Sequence, residues 1–310
     1  MGEIVWKTPD REDYKKIRSV VEKCNYYGSD TSALNIYLLR KKYGTKIGYC
    51  DGFILRKYYG KDGRCGYGFP LGKVSGGELL NENEDLRQVF EKIKMDAACK
   101  GEPLRFCLFD KEQKEIADRY INAVDWKSDR GNSDYIYIRQ ELAQLSGSRY
   151  HKKRNHVLKF TRLYNDWRYA EISERNISDA MKVADEWFEE RMSHEDKIND
   201  SEYGAIVEVV EYYSEFGLRG GILYADGRPV AMTIASPINK DICDVHFEKA
   251  VGKYAADGAY AVINRMLAIS LSEYTYFNRE EDINIEGLRK AKMSYHPWKV
   301  LEKYSGEVRE

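Results

Sequence analysis

The chain predicts a mixed α/β fold built twice over. The first observation is a repeated order of periodic segments: two helices, three strands, a loop, then helix, strand, helix and strand. It occurs in residues 1–140 and again in 141–310. The second is a pair of Asp-Gly dipeptides, Asp51-Gly52 and Asp226-Gly227, each set between two strand-like runs, which is a strong tight-hairpin signal. The third is length: 310 residues suit two domains of ordinary size. The expected division is therefore 1–140 and 141–310, with the chemistry in the second part.

The elements follow in order. Asp10 caps a helix to Tyr26, with Tyr14, Ile17, Val20, Val21 and Cys24 at helical spacing. Ser32–Tyr43 is a second helix, stopped by Gly44. Strands follow at Lys46–Cys50, Phe53–Tyr58 and Arg64–Leu71, then a flexible loop at Gly72–Gly77. Helix Glu84–Lys100, strand Leu104–Phe109, helix Lys111–Ile121 and strands Val124–Lys127 and Tyr135–Arg139 complete the first part. A single linking helix, Glu141–Tyr164, opens the second. Strand Arg168–Ile172, helices Ile177–Arg191 and Glu202–Phe216, and strands Arg219–Ala225, Arg228–Ser236 and Ile242–Lys249 come next. A glycine-bearing loop at Val251–Ala259 leads to helix Ala259–Ser272, strand Tyr274–Phe277, helix Asn284–Met293 and strand Trp298–Tyr304.

Composition narrows the class. The chain is 43% hydrophobic and 33% charged, with a net charge of −1, so attraction to a polyanion must come from local clustering. The six cysteines show no metal-type or redox-type spacing, and a reduced, cytoplasmic protein is the expectation. The five histidines form no zinc-type pattern, so no metal site is expected. There is no signal-peptide pattern, and no apolar run approaches the ~18 residues of a membrane-spanning helix. A peripheral encounter with a membrane stays open.

Charged segments mark the candidate chemistry. Arg149–Arg162 holds no acid, and Arg149, Lys152, Lys153 and Arg154 could grip phosphates, although such runs are also common as solvated helix faces. In Asp244–Lys249, strand alternation puts Asp244, His246 and Glu248 on one face and Val245, Phe247 and Lys249 on the other. Ionisable groups in line on a central strand are costly to bury without a use, and Glu248 or His246 is the candidate general base. The loop before the helix at Ala259 has Gly258, but Ala255 and Tyr260 stand where a coenzyme A pyrophosphate signature has other residues. Asn278 lies directly off a strand, and Lys292 and Tyr295 follow at the end of the next helix, near enough to supply donors.

The doubled element order matches the acyl-CoA N-acyltransferase, or GNAT-like, fold, whose sheet splays between its fourth and fifth strands. Here the splay is expected between Val245–Lys249 and Tyr274–Phe277. His246-Phe247-Glu248-Lys249-Ala250, Asn278-Arg279-Glu280-Glu281-Asp282, Gly287–Lys292, Tyr295-His296-Pro297 and Lys153-Arg154-Asn155 with Phe160 resemble a bacterial family of unknown function. That family is related to the C-terminal domain of phosphatidylglycerol lysyltransferase. The resemblance implies tandem GNAT-like domains and transfer of an aminoacyl group from aminoacyl-tRNA to a lipid or other acceptor. The candidate catalytic residues are Glu248, His246, Lys292 and Tyr295. The candidate substrate-binding residues are Asn155, Lys249, Asn278, Asp282 and Arg289, beside Arg149, Lys152, Lys153 and Arg154.

Three readings stay open at this point. The first is an aminoacyltransferase in which Glu248 moves a proton, a strand amide and Lys292 hold the oxyanion, and Tyr295 protonates the leaving oxygen. Under it, Glu248→Gln abolishes transfer and leaves the melting temperature within a few degrees. The second is an acetyl-CoA-dependent N-acetyltransferase, with acyl-CoA as donor. The third is a catalytically silent RNA-binding module that uses Arg149–Arg162.

Overall fold

The computed structural model describes residues 3–60, 64–72, 84–192 and 197–309. It has the expected mixed α/β class, with two mixed sheets. The first compact unit comprises Met1–Asp134, Glu281–Glu286 and Val300–Glu310, and the second comprises Tyr135–Glu280 and Gly287–Lys299. The single cut expected at 140/141 is thus replaced by a chain that returns twice to the first unit.

In the first unit, helix α1 (Arg11–Val21) starts at Asp10, whose side chain accepts from the Asp13 amide in a capping box. Helix α2 (Ala33–Leu38) is shorter than the predicted Ser32–Tyr43. Strands β1 (Lys46–Cys50) and β2 (Phe53–Tyr59) pair antiparallel around Asp51-Gly52, both residues at positive φ as a tight hairpin requires. Strand β3 (Cys65–Tyr67), helix α3 (Glu84–Cys99), strand β4 (Arg105–Phe109), helix α4 (Lys111–Ala117) and strand β5 (Val124–Ser128) follow. Most of the Gly72–Gly77 loop lies outside the described residues.

The six-stranded sheet runs β1-β2-β3-β4-β13-β5, where β13 is Tyr304–Val308, close to the end of the chain. The predicted strand Trp298–Tyr304 is really two, β12 (Lys299–Leu301) and β13. Beside β13, the buried Lys303 ammonium donates to Asp134 at 2.8 Å and pairs with Asp30 at 3.2 Å. It also donates to the buried Ser29 Oγ at 3.0 Å, and these three buried partners give the final strand a defined seat.

In the second unit, strand β6 (Asp134–Ile138) leads to helix α5 (Arg139–Gln144). The predicted linking helix breaks here. Leu145 and Gly147 take positive φ, a short turn follows, and helix α6 (His151–Leu163) begins afresh. Strand β7 (Arg168–Glu171), helices α7 (Ile177–Met192) and α8 (Lys197–Glu211), and strands β8 (Arg219–Ala225), β9 (Arg228–Pro237) and β10 (Ile242–Ala250) come next. Asp226-Gly227 makes the second tight hairpin. The predicted glycine loop is instead mostly helix α9 (Gly252–Asp257), joined through left-handed Gly258 to helix α10 (Ala259–Ser270). Strand β11 (Tyr276–Asn278) and helix α11 (Glu286–Met293) precede β12, and the seven-stranded sheet runs β12-β6-β11-β10-β9-β8-β7.

Candidate functional site

The splay lies where the sequence places it. β10 and β11 run parallel and pair only at Ile242–Tyr276, Cys243–Phe277 and Asp244–Asn278. Beyond Asp244, β10 continues on β9 alone, which opens an edge over residues 245–250.

A bulge then reorders the side chains. On β9, Asp244 faces Ser236 and Val245 faces Ala235, but Phe247 faces Ile234 and Glu248 faces Thr233, so His246 is the extra residue. The predicted common face of Asp244, His246 and Glu248 is therefore wrong. Glu248 falls on the face of Val245, and Asp244 falls on the face of Phe247. The residue count through a bulge shifts the alternation by one.

On the Glu248 face, the carboxylate is fully engaged. One oxygen accepts from Asn264 of α10 at 3.0 Å, and the other accepts from Arg279 Nε at 2.8 Å and Nη2 at 2.5 Å. The side chains are 14% and 12% exposed, Arg279 first. Burial opposes the charge on Arg279, yet the adjoining carboxylate outweighs it and holds the guanidinium pKa above its usual value. The third nitrogen, Nη1, is buried with no hydrogen-bond partner among the described residues, and the same holds for Asn264 Oδ1 and Thr233 Oγ1. Arg279 also lies over the rings of Tyr295 at 4.8 Å and Tyr137 at 5.5 Å. Lys153 of α6 approaches the Tyr295 ring, its Nζ 3.8 Å from the centroid. Burial, then the Arg279 charge, pushes the Lys153 pKa down to about 8. Burial pushes the Tyr295 phenol up to about 12.

On the opposite face, His246 Nε2 meets Ser236 Oγ at 2.7 Å, and Nδ1 meets Glu280 at 3.0 Å and Asp244 at 3.7 Å. Lys249 pairs with Glu202 at 2.6 Å and covers the Trp187 ring, and burial lowers its pKa.

The remaining predicted residues divide by what they hold. Lys292 donates to the backbone carbonyls of Arg279 and Glu280, and Asn278 Oδ1 accepts from the Glu280 amide at 2.7 Å, so both fix the turn after β11. Asp282 accepts from the Asn284 amide within the first unit. Arg154 donates to the Leu145 and Gly147 carbonyls, and Arg149 pairs with Glu141 at 2.5 Å. Lys152 and Asn155 are exposed on α6, and Arg289 is half-buried on α11. The structure thus gathers Glu248, Lys153 and Tyr295 around Arg279 and directs Lys292, Arg149 and Arg154 to the backbone or to another ion pair.

Sequence reasoning missed Arg279, Asn264, Thr233 and Tyr137 as site residues. Asn264 carried a signal: it is a lone amide inside the apolar run Ala259–Ile269. Arg279 stood within a quoted motif, but its partner lies 31 residues away and only the parallel strand pairing joins them.

Several solved structures are similar to this chain. A conserved protein of unknown function from Bacteroides thetaiotaomicron is 31% identical, covering 99% of this chain and 100% of its own, with a TM-score of 0.88. L-PGS from Bacillus licheniformis shares the fold at 15% identity, covering 100% of this chain and 95% of its own, with a TM-score of 0.65. So does the C-terminal (DUF2156) domain of a proposed lysylphosphatidylglycerol synthetase from Agrobacterium fabrum, at 14% identity, 96% and 92% coverage and a TM-score of 0.65. No curated protein matches the chain significantly. Among the described residues, no helix is long and apolar enough to cross a membrane. The family model for phosphatidylglycerol lysyltransferase, C-terminal, matches residues 21–305. The chain therefore belongs to that family, an acyltransferase-like kind of protein built on two mixed α/β units.

Proposed function

We propose that the chain is an aminoacyltransferase, moving an aminoacyl group from the ester of an aminoacyl-tRNA to the hydroxyl or amine of a lipid or other acceptor. One observation carries the reading: Arg279 is a buried cation, clamped by Glu248, whose Nη1 has no protein partner among the described residues. A clamped guanidinium is preorganised to receive the negative charge that develops on a carbonyl oxygen under attack.

The step then balances around three groups. The acceptor heteroatom bonds to the ester carbon, and its proton passes to Lys153, which is part neutral near pH 8. Lys153 takes this role in place of Glu248, both of whose oxygens are engaged. The ester C–O bond breaks, and the ribose oxygen takes a proton from Tyr295, which is protonated at neutral pH. Exposed bases of α6, among them Lys152 and Arg162, would meet the tRNA phosphates.

Local packing argues against the acetyl-CoA alternative. At the start of α10, where a pyrophosphate would sit in that reading, a Cβ on Gly258 would run into the His156 carbonyl of α6. α6 already occupies the approach to the helix terminus.

The test supplies labelled aminoacyl-tRNAs with phosphatidylglycerol vesicles, and separately with soluble amines, and follows the label into product. Transfer that Arg279→Gln reduces at least a hundredfold in kcat supports the reading. Turnover of acetyl-CoA with no transfer from any aminoacyl-tRNA refutes it.

A further inference from the structure

We propose that Asp244, His246 and Glu280 form a binding site for one first-row divalent cation, Zn2+ or Mn2+, distinct from the Arg279 centre. One ligand atom from each lies within 4.8 Å of the others. The two edges at the imidazole are 3.0 Å, Nδ1 to Glu280, and 3.7 Å, Nδ1 to Asp244. Bonds of about 2.0–2.1 Å from imidazole nitrogen and carboxylate oxygen to zinc give tetrahedral edges of roughly 3.3 Å. The two edges at the imidazole bracket that value, and the third, between the two carboxylates, lies within 4.8 Å, so the carboxylates close in on the ion as it binds.

The surroundings are those of a ligand histidine. Nε2 is engaged with Ser236 Oγ at 2.7 Å. With the proton on Nε2, donating to Ser236, the Nδ1 lone pair faces both carboxylates; such an outer partner fixes tautomer and ring orientation. Glu280 is held in turn at its backbone, its amide by Asn278 and its carbonyl by Lys292.

Charge also favours a dication. The imidazole and Asp244 side chains are 1% and 0% exposed, and Glu280 at 24% forms the outer wall. Two carboxyl groups flank one imidazole in a poorly solvated place. A single Nδ1 proton can bond only one of them well, whereas a divalent ion neutralises both. Nitrogen with carboxylate oxygen suits zinc or manganese better than a thiol-seeking ion or magnesium. With three protein ligands, coordination positions remain for water or substrate on the Glu280 side.

The experiment titrates chelator-stripped protein with Zn2+ or Mn2+ alone, by calorimetry and by thermal melting, with Mg2+ as control. One equivalent is expected, with binding abolished in H246A, weakened at least tenfold in E280Q, and weakened about 10–100-fold in S236A. X-ray absorption of the zinc form should show one imidazole nitrogen among oxygen ligands. E280Q, at the partly exposed wall, keeps the proposal testable if H246A does not fold. Absence of saturable binding to the wild type overturns the site, and so does E280Q binding as tightly as wild type.

Discussion

Glu248→Gln is the sharpest perturbation of the proposed centre. The substitution keeps shape and an acceptor for Asn264 but removes the charge that faces Arg279 at 2.8 and 2.5 Å. Sequence reasoning expects the change to be silent for stability, because it treats Glu248 as an isolated base. The structure predicts otherwise, since the pair is largely buried, 14% and 12% exposed, and the substitution leaves an uncompensated guanidinium. Breaking a buried pair costs about 3–5 kcal/mol, and the retained acceptor points to the lower end. For a unit of this size, about 3 kcal/mol corresponds to a fall of roughly 6–12 °C in Tm. The assay is thermal melting of wild type, E248Q, R279Q and the double variant, arranged as a cycle. A double variant more stable than the sum of the singles predicts is expected, with a coupling of at least about 2 kcal/mol. An E248Q melt within a degree of wild type, or additive singles, refutes the clamp and with it the preorganised cation.

Three further outcomes follow from the same geometry. The Lys153 pKa is lowered from 10.5 to about 8 in the folded state, so below pH 8 the lysine is protonated in folded and unfolded chains alike and its burial penalty is present in full. Stability should therefore rise as pH increases from about 8 to 10.5, and Lys153→Met should flatten that rise in denaturant melts. Gly258→Ala should lower Tm by several degrees, because φ is 114° there and the new Cβ meets the His156 carbonyl; an unchanged melt contradicts the α6–α10 packing. If α6 meets tRNA phosphates, Lys152→Ala with Arg162→Ala should weaken tRNA binding about equally for all tRNAs and reduce the salt slope by roughly two, read from filter binding across salt concentrations.

Much of the fold was legible because its signals are local. Asp10 capped its helix, two Asp-Gly pairs made their hairpins, and Val157, Phe160 and Tyr164 faced the core at helical spacing. The splay was legible too, as a consequence of the element order. What failed was set by one-residue or long-range effects. Ala255-Ala256 favours helix, so the supposed loop became α9 with glycines at its two ends. Ser146-Gly147-Ser148 ended a helix that apolar spacing alone carried through. The C-terminal strand joined the first sheet through Lys303, Asp30 and Asp134, partners spread over the whole chain.

The bulge at His246 explains why the second unit has two clusters of ionisable side chains and not one. Without an extra residue, Asp244, His246 and Glu248 would share a face, and three ionisable groups would repel or share protons. With it, Glu248 turns toward α10 while Asp244 remains opposite Ser236. The consecutive residues Arg279 and Glu280 then part company: the cation reaches Glu248, and the anion reaches His246. That division needs a fixed turn, since a free backbone would let Arg279 pair with Glu280 itself or with Asp244. Glu280 holds a left-handed backbone, φ 55°, which costs a non-glycine residue free energy. Asn278 and Lys292, binding its amide and the two carbonyls, offset that cost. Lys292, expected to hold an oxyanion itself, thus serves the centre through the geometry of Arg279.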